Sequence, residues 1–388
     1  MVVSQASTVR QAIRDKFGAA GEVRVFRAPG RVNLIGEHTD YNLGYVLPIA
    51  MDLACFSAAA PGSGGKLRLH SVNLDDSAEY TIADIPGLKK CGHWSDYPVG
   101  VAQQLMKLGF ELQPMDIAVS STVPVGSGLS SSAALEISSA LAMLFGREID
   151  RTELAQLARR AEREFVGVPV GIMDQYVSVF GETGKAIRID CRSLTYEAVP
   201  LPPPVSIVAV NSLVKHELGS SAYATRVKEC AEAVTAIQQT FPGVESLRDV
   251  SPDMVDRTRQ SMADNVFRRA RHVTTENERV VAFTGVAAQG DLLAMGRLFL
   301  ASHRSMQQDY EISAEEIDFL VDTASALSGV YGARMTGGGF GGCTVNLVSP
   351  NRVNAFRQHI TAAYERRYNL TPVFYECIPA EGAGEIRS

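Results

Sequence analysis

Side chains able to do chemistry are concentrated in a few short stretches of this 388-residue chain. Residues 27 to 50 read Arg-Ala-Pro-Gly-Arg-Val-Asn-Leu-Ile-Gly-Glu-His-Thr-Asp-Tyr-Asn-Leu-Gly-Tyr-Val-Leu-Pro-Ile-Ala, and they bring Arg31, Asn33, Glu37, His38, Asp40, Tyr41 and Asn42 within a dozen positions. Donors and acceptors so closely interleaved suit a polyhydroxylated ligand, because every hydroxyl both gives and accepts a hydrogen bond. A polar loop whose charges pair with each other is the alternative. In Val123 to Ala134 (Val-Pro-Val-Gly-Ser-Gly-Leu-Ser-Ser-Ser-Ala-Ala) an apolar strand, Met115 to Val119, passes through a small-residue turn into a helix. Gly126 and Gly128 allow positive φ and close approach of a ligand, and the helix start offers unpaired N–H groups at a positive dipole end. That chemistry suits a phosphate, with the hydroxyls of Ser130, Ser131 and Ser132 as further donors and a candidate Mg²⁺ ligand. No Gly-Lys-Ser/Thr follows, so the turn is not a Walker A loop, nor is it Gly-x-Gly-x-x-Gly; a plain connection is the alternative.

Two acids stand out by their surroundings. Gly171-Ile-Met-Asp-Gln-Tyr176 sets Asp174 among apolar and small residues, where a buried carboxylate without a partner is costly. It either works in a site or caps a helix that starts there. Glu162 lies at the edge of the apolar stripe Leu154, Leu157, Ala158, Ala161 and Phe165, from which it can be solvated or reach inward to a cation. A second glycine turn, Gly337 to Gly342, precedes a strand over Cys343 to Val348; packing alone does not justify five glycines in six positions.

The elements that must position these groups follow from periodicity. Val9, Ile13 and Phe17 mark a short amphipathic helix, and Val23 to Phe26 a strand that Ala28-Pro29-Gly30 ends. Residues 51 to 80 alternate around Pro61 to Gly65 as a β-hairpin would. Helices are expected over Val99 to Leu108, behind the lone Trp94, which reads as a packing residue. Another is expected from Ala134 with Ile137, Leu141, Leu144 and Phe145 inward, and one over Arg151 to Phe165, capped by Asp150 and Glu153. Ala186 to Ile189 and Val205 to Val210 read as strands on either side of Leu201-Pro-Pro-Pro204, the expected domain junction. Beyond it helices are expected over Thr225 to Thr240, Ala263 to His272, Glu276 to Ala288, Asp291 to Met306 and Ala314 to Ala326, and an edge strand over Val373 to Ile378.

A chain with 46% hydrophobic and 21% charged residues and a net charge of −6 can build a sizeable core but has no basic field for nucleic acid. No apolar run reaches the roughly 20 residues that span a bilayer, so no membrane association is expected. Cys55, Cys91, Cys191, Cys230, Cys343 and Cys377 show neither zinc nor disulfide spacing, which fits a reducing cytoplasm.

The three glycine-bearing stretches, 27 to 50, 123 to 134 and 334 to 345, together with Gly167 to Tyr176, Asn211 to Tyr223 and Arg269-Ala-Arg-His-Val273, resemble the GHMP kinase superfamily almost end to end. The first stretch is similar to the galactokinase signature within it. The resemblance implies a two-domain α+β fold, 1–200 with the sugar and phosphate motifs and 201–388 as the C-terminal kinase domain, with the site in the cleft between them. It implies an ATP-dependent sugar 1-kinase acting on galactose, with Mg²⁺ and small-molecule partners only, most simply as a monomer.

By position, Asp174 is then the catalytic base and Arg31 its partner. Glu37, His38, Asp40, Gly171 and Tyr223 meet the sugar, with Asp40 the most discriminating, since a carboxylate accepting from two hydroxyls rejects an analogue that lacks them. Gly126, Ser127, Gly128, Leu129, Ser130, Ser131, Ser132 and Ala133 form the ATP loop, and Ser132 and Glu162 hold Mg²⁺. Leu43, Arg163 and Gly338 depart from the family's common Gly, His and Ala. A kinase for N-acetylgalactosamine or arabinose and a non-catalytic galactose sensor are the rival readings. Lys215 and His216 read as solvated loop charges.

Overall fold

The computed structural model describes residues 2–19, 21–215 and 219–387, apart from the side chains of Lys215 and 219–221. His216 and the side chain of Lys215 therefore lie outside the described residues.

The first half of the chain runs α1 (Val2–Phe17), β1 (Arg24–Asn33), β2 (Tyr45–Val46), β3 (Pro48–Pro61), β4 (Lys66–Ser71), β5 (Asp76–Thr81), α2 (Asp96–Lys107), β6 (Met115–Ser121), α3 (Ser131–Leu144), α4 (Arg151–Arg160), α5 (Met173–Phe180), β7 (Lys185–Asp190) and β8 (Thr195–Pro200). The second half continues with β9 (Ser206–Lys215), α6 (Gly219–Gln238), α7 (Pro252–Arg257), α8 (Asp264–Ala288), α9 (Leu292–Ser305), α10 (Glu315–Ser325), β10 (Val330–Thr336), β11 (Gly341–Val348), α11 (Val353–Tyr368), β12 (Val373–Glu376) and β13 (Gly384–Glu385). Helices and strands are mixed in α+β fashion, in sheets ordered β13-β1-β3-β6-β4-β5, β10-β11-β9-β12 and β2-β7-β8. Among the described residues no helix is long and apolar enough to cross a membrane.

Apolar faces explain the layers. Ala6, Val9 and Ile13 of α1 bury against Val25, Phe56, Ala58 and Ala118 on one side of the six-stranded sheet. Ala134, Ile137 and Ala140 of α3 join the main core together with Phe26, Ala28 and Cys55 of the sheet. That core also holds Ile207, Phe283, Phe299 and Val345, so both halves of the chain share it. The last strand, β13, returns to pair Glu385 with Phe26.

The structure corrects several expectations. β3 and β4 do not form a hairpin: β6 lies between them, antiparallel to β3 and parallel to β4, and the hairpin is β4 with β5. Alternation reports which face of a strand is buried, not which strand lies beside it. Ala28-Pro29-Gly30 does not end β1, which continues to Asn33 through a bulge between Pro29 and Arg31. Pro29 is tolerated because the β13 edge reaches only Phe26 and Arg27. Gly30 is needed because a Cβ there would lie 2.6 Å from the Leu129 carbonyl oxygen. The helices expected at 263–272 and 276–288 are one, α8; Thr274 and Thr275 turn their hydroxyls back to the carbonyls of Ala270 and Arg271, at 2.9 and 2.7 Å, so neither interrupts it. Asn211 to Lys215 extends β9, paired to β11, and Tyr223 is carried by α6. Finally, the 151–165 helix ends its α-helical part at Arg160 and widens over Ala161–Val166 into a π-type turn that stops at Gly167. Such widenings re-aim side chains, and this one carries Glu162.

Candidate active site

A cavity of about 720 Å³ opens where the three glycine-bearing stretches meet, and its lining draws on β1, the 124–132 turn, the 167–174 segment, α6 and the 337–342 turn. At its floor Arg31 forms a two-pronged ion pair with Asp174: Nε donates to Oδ1 and Nη2 to Oδ2, both at 2.9 Å. Its remaining arm, Nη1, donates to the Gly128 carbonyl at 2.5 Å, and Ser130 Oγ donates to Asp174 Oδ2 at 2.5 Å. Arg31 arrives there on the bulged end of β1, whose Arg31 N–H donates to the Leu129 carbonyl at 3.1 Å. Asp174 sits in the first turn of α5, so the pair joins sheet, glycine turn and helix at one point.

The two glycine turns pack on each other by backbone. A Cβ on Gly337 would lie 3.0 Å from the Gly128 carbonyl oxygen, and one on Gly342 would lie 3.3 Å from that of Ser127, so close approach as well as positive φ selects glycine here. Gly126, Gly128, Ser130, Ser131 and Ser132 line the cavity. Ser127, Leu129 and Ala133 do not present side chains to it; all three are buried, and the Ser127 hydroxyl turns back to the Pro124 carbonyl at 2.9 Å.

Glu37, His38, Asp40, Gly171 and Tyr223 all line the opposite side. Asp40 is buried, and burial first, then the nearby Asp174 charge, pushes its carboxyl up from the ordinary range. Gly171 is what makes room for it: a Cβ there would lie 1.7 Å from Asp40 Oδ2. Burial also raises the Glu37 carboxyl, against the opposing pull of Arg334. Both ring nitrogens of His38 have protein partners, Nδ1 with Tyr41 Oη at 2.7 Å and Nε2 with the Gly338 carbonyl at 3.2 Å. Burial, with the neighbouring His272, depresses its pKa to about 3 and keeps the ring neutral. Tyr223 packs its ring 5.0 Å from His38.

Glu162 faces inward. Burial, followed by Asp174, raises its pKa to about 7, while hydrogen bonds from Ser132 and Gln175 act in the other direction. Gln175 Nε2 bridges Glu162 Oε2 at 2.7 Å and Glu136 Oε2 at 3.1 Å. Glu136, fully buried on α3, was missed from sequence. Its signal was available: an acid four positions after Ser132, on a helix otherwise read as apolar. Arg334 and Glu276, both fully buried near Glu37, were also missed; Arg334 is explained by Glu37 and Glu276, distant from it in sequence, and Glu276 pairs with Arg279 as well. Trp94 does not line the cavity and donates Nε1 to Asp76 at 3.0 Å, and Arg163 reaches the Val170 carbonyl at 3.1 Å.

Comparisons with known proteins agree with this geometry. Residues 96–182 match the GHMP kinases N terminal domain and 283–366 the GHMP kinases C terminal domain, while 12–61 match the galactokinase galactose-binding signature. Fold and site thus define a GHMP kinase. The chain is 43% identical over 380 residues to a galactokinase of Roseiflexus sp. (strain RS-1), covering 97% of this chain and 96% of that one. It is 41% identical over 383 residues to the galactokinase of Bos taurus, covering 96% and 95%. Lactococcus lactis galactokinase, solved in complex with galactose, superposes with a TM-score of 0.93 at 36% identity over 100% of both chains. Mevalonate kinase of Methanococcus jannaschii, at 18% identity and a TM-score of 0.67, shares the fold, over 93% of this chain and 100% of its own. The chain belongs to the galactokinase family, and it is an ATP-dependent sugar kinase.

The Gly171 contact generates a test. In Gly171→Ala the added methyl must displace the Asp40 carboxylate; with the sugar role proposed below for Asp40, the KM for sugar is expected to rise by about tenfold or more, the equivalent of one displaced charged hydrogen bond. The KM for ATP should move little. Steady-state kinetics with each substrate varied in turn reads both.

Proposed function

We propose that the protein transfers the γ-phosphoryl group of MgATP to the C1 hydroxyl of α-D-galactose, giving galactose 1-phosphate and ADP. One observation carries the reading: the Arg31–Asp174 pair lies between the serine-bearing glycine turn and the Glu37–Asp40 cluster, within one cavity. In this reading Asp174 accepts the proton of the C1 hydroxyl while the oxygen attacks the phosphorus. Arg31 holds the carboxylate by two bonds, which fixes its lone pairs toward the sugar, and contributes positive charge beside the transferring group. Backbone N–H groups of the 126–132 turn and the start of α3 receive the phosphate oxygens. Glu37, His38, Asp40, Gly171 and Tyr223 form the sugar wall, with His38 as a neutral ring. Catalysis of this kind is mostly positioning and electrostatics.

Magnesium fits the residues present. Ser132 and Glu162 offer oxygen donors only, and a carboxylate disfavoured by burial and by Asp174 is one that a cation relieves. Among the described residues no cluster of three or more His, Cys, Asp or Glu could hold a metal by itself. Phosphate and water would supply the remaining oxygens, as is usual for this ion. The ion, when bound, neutralises charge on the phosphates. We further propose a monomer and a division into 1–200 and 201–388, the latter holding the whole of the sheet β10-β11-β9-β12. A cytoplasmic setting is supported by six cysteines that are all unpaired.

Asp174→Asn should leave sugar and nucleotide binding by calorimetry nearly intact and lower kcat by about 10²–10⁴-fold, the usual contribution of a general base. Near-native turnover in a coupled ADP assay would remove Asp174 from this role. Glu162→Gln should shift the Mg²⁺ dependence to higher concentration and spare the sugar KM; an unchanged Mg²⁺ titration would take Glu162 out of the ion site.

The deciding experiment is a panel of galactose, glucose, N-acetylgalactosamine and arabinose, with mevalonate and homoserine as controls. It is read by ADP release and by NMR of the phosphorylated carbon. Galactose is expected to lead, with glucose rejected by a misplaced hydroxyl that leaves groups unpaired at about 1–3 kcal/mol each. Preference for another sugar, binding without turnover, or phosphate on any carbon but C1 overturns the assignment.

A further inference from the structure

The stretch that carries Glu37 and His38 belongs to the first half of the chain, yet four of its backbone polar groups are bonded by the second half. Thr336 Oγ1 donates to the Asn33 carbonyl at 2.9 Å and Arg334 Nη1 to that of Leu34 at 2.5 Å. Gly36 N–H donates to Glu276 Oε1 at 3.0 Å, and His272 Nε2 meets the Glu37 carbonyl at 3.1 Å. The Glu37 side chain accepts from the Gly337 N–H at 3.1 Å and lies 3.5 Å from Arg334 Nη2. His272, Glu276 and Arg334 are buried behind the cavity and form none of its lining.

His272 is the member with the most direct hold. A carbonyl only accepts, so Nε2 carries the proton and Nδ1 accepts from Ser305 Oγ at 2.9 Å. The ring also lies 4.4 Å from that of Tyr310, whose other neighbour is the His38 ring at 4.9 Å. An independent feature shows why an anchor is needed there: His38, the next residue, has φ +60°, a left-handed conformation that a side chain other than glycine adopts only when its surroundings impose it. Within Arg269 to Val273, a segment singled out by sequence, Arg269 is occupied by Glu229 and Glu311, and His272 is the residue that reaches the sugar-side turn.

We propose that His272 is a positioning residue for sugar recognition, holding the Glu37 carbonyl so that the strained 37–38 turn presents its side chains to the hexose. Glu276 and Arg334 hold the two peptides that precede that turn, at the Gly36 N–H and the Leu34 carbonyl. The inference rests on the reading of Glu37 and His38 as the sugar wall. Without the His272 hydrogen bond the turn relaxes toward ordinary backbone conformations, and the site must pay to rebuild it on binding.

The test compares His272→Phe, which keeps the ring and removes both nitrogens, with His272→Gln, whose side-chain amide can still donate where Nε2 did. In the Phe variant the galactose KM and calorimetric Kd are expected to rise by about tenfold, the effect of one hydrogen bond and the local strain. The ATP KM should stay within about twofold, and the Gln variant should recover most of the loss. Ser305→Ala, a milder change at the other nitrogen, is expected to raise the galactose Kd by about threefold, and it keeps the test open if the Phe variant does not fold by circular dichroism. Unchanged galactose affinity in the variants, a parallel rise in both KM values, or a Gln variant no better than Phe overturns the role. A wild-type chain that binds no galactose overturns the functional reading and this one with it, whereas wild-type binding with unaltered variants overturns the positioning role alone.

Discussion

The site depends on one ion pair. Arg31 and Asp174 come from positions far apart in the chain, and each solves the other's problem: a guanidinium or a carboxylate taken partly out of water is costly unless its hydrogen-bonding groups are matched. Here Arg31 is matched on all sides, with two arms on Asp174 and one on the Gly128 carbonyl. Ser130 completes the carboxylate from the turn that precedes α3. The geometry leaves little freedom. To put the guanidinium there, β1 must run past Pro29, bulge, and pass beneath Leu129 closely enough that only glycine fits at position 30.

That constraint spreads into the glycine turns. A turn that faces a ligand with its backbone must be supported from behind, and a second turn can do so at backbone distance only if side chains are absent. Gly337 against Gly128, and Gly342 against Ser127, meet this need. The conformational entropy lost by ordering glycine, about 0.5–1 kcal/mol at each position relative to alanine, is then the cost of contact that a Cβ would block.

A second network, buried and ionic, sets the wall of the cavity that carries Glu37. Arg334 lies between Glu37 and Glu276, at 3.5 and 3.8 Å, and Glu276 also pairs with Arg279 at 2.6 Å. These charges hold Glu276 well below the usual carboxylate range even though burial opposes it, while Glu37 is pushed up. Buried ion pairs contribute little net stability once desolvation is counted, whereas removing one partner leaves an uncompensated buried charge. Since Arg334 is on β10 and Glu276 on α8, the conformation of residues 34–37 depends in part on chain more than two hundred residues away.

The sequence by itself determined the family, the α+β class, most elements and the identity of the side chains that gather in the cavity. It could do so because these depend on local signals: periodicity for α1, α2, α3 and α9, small residues where backbone must approach a ligand, and acids in apolar company at Asp174 and Glu162. Neighbours in space were decided only by tertiary structure. Pairing of β6 between β3 and β4, the run of β1 past Pro29, the returning strand β13, and the inward turn of Ser127, Leu129 and Ala133 all depend on which surface meets which, and no local pattern encodes that. The same holds for α8, one helix where two were expected, in which the Thr274 and Thr275 hydroxyls bond back to their own helix. For Glu136 and Arg334 the residue type was visible and the partner was not: Gln175 for the one, Glu37 and Glu276 for the other, lie elsewhere in the chain and are brought near by the closing of the core.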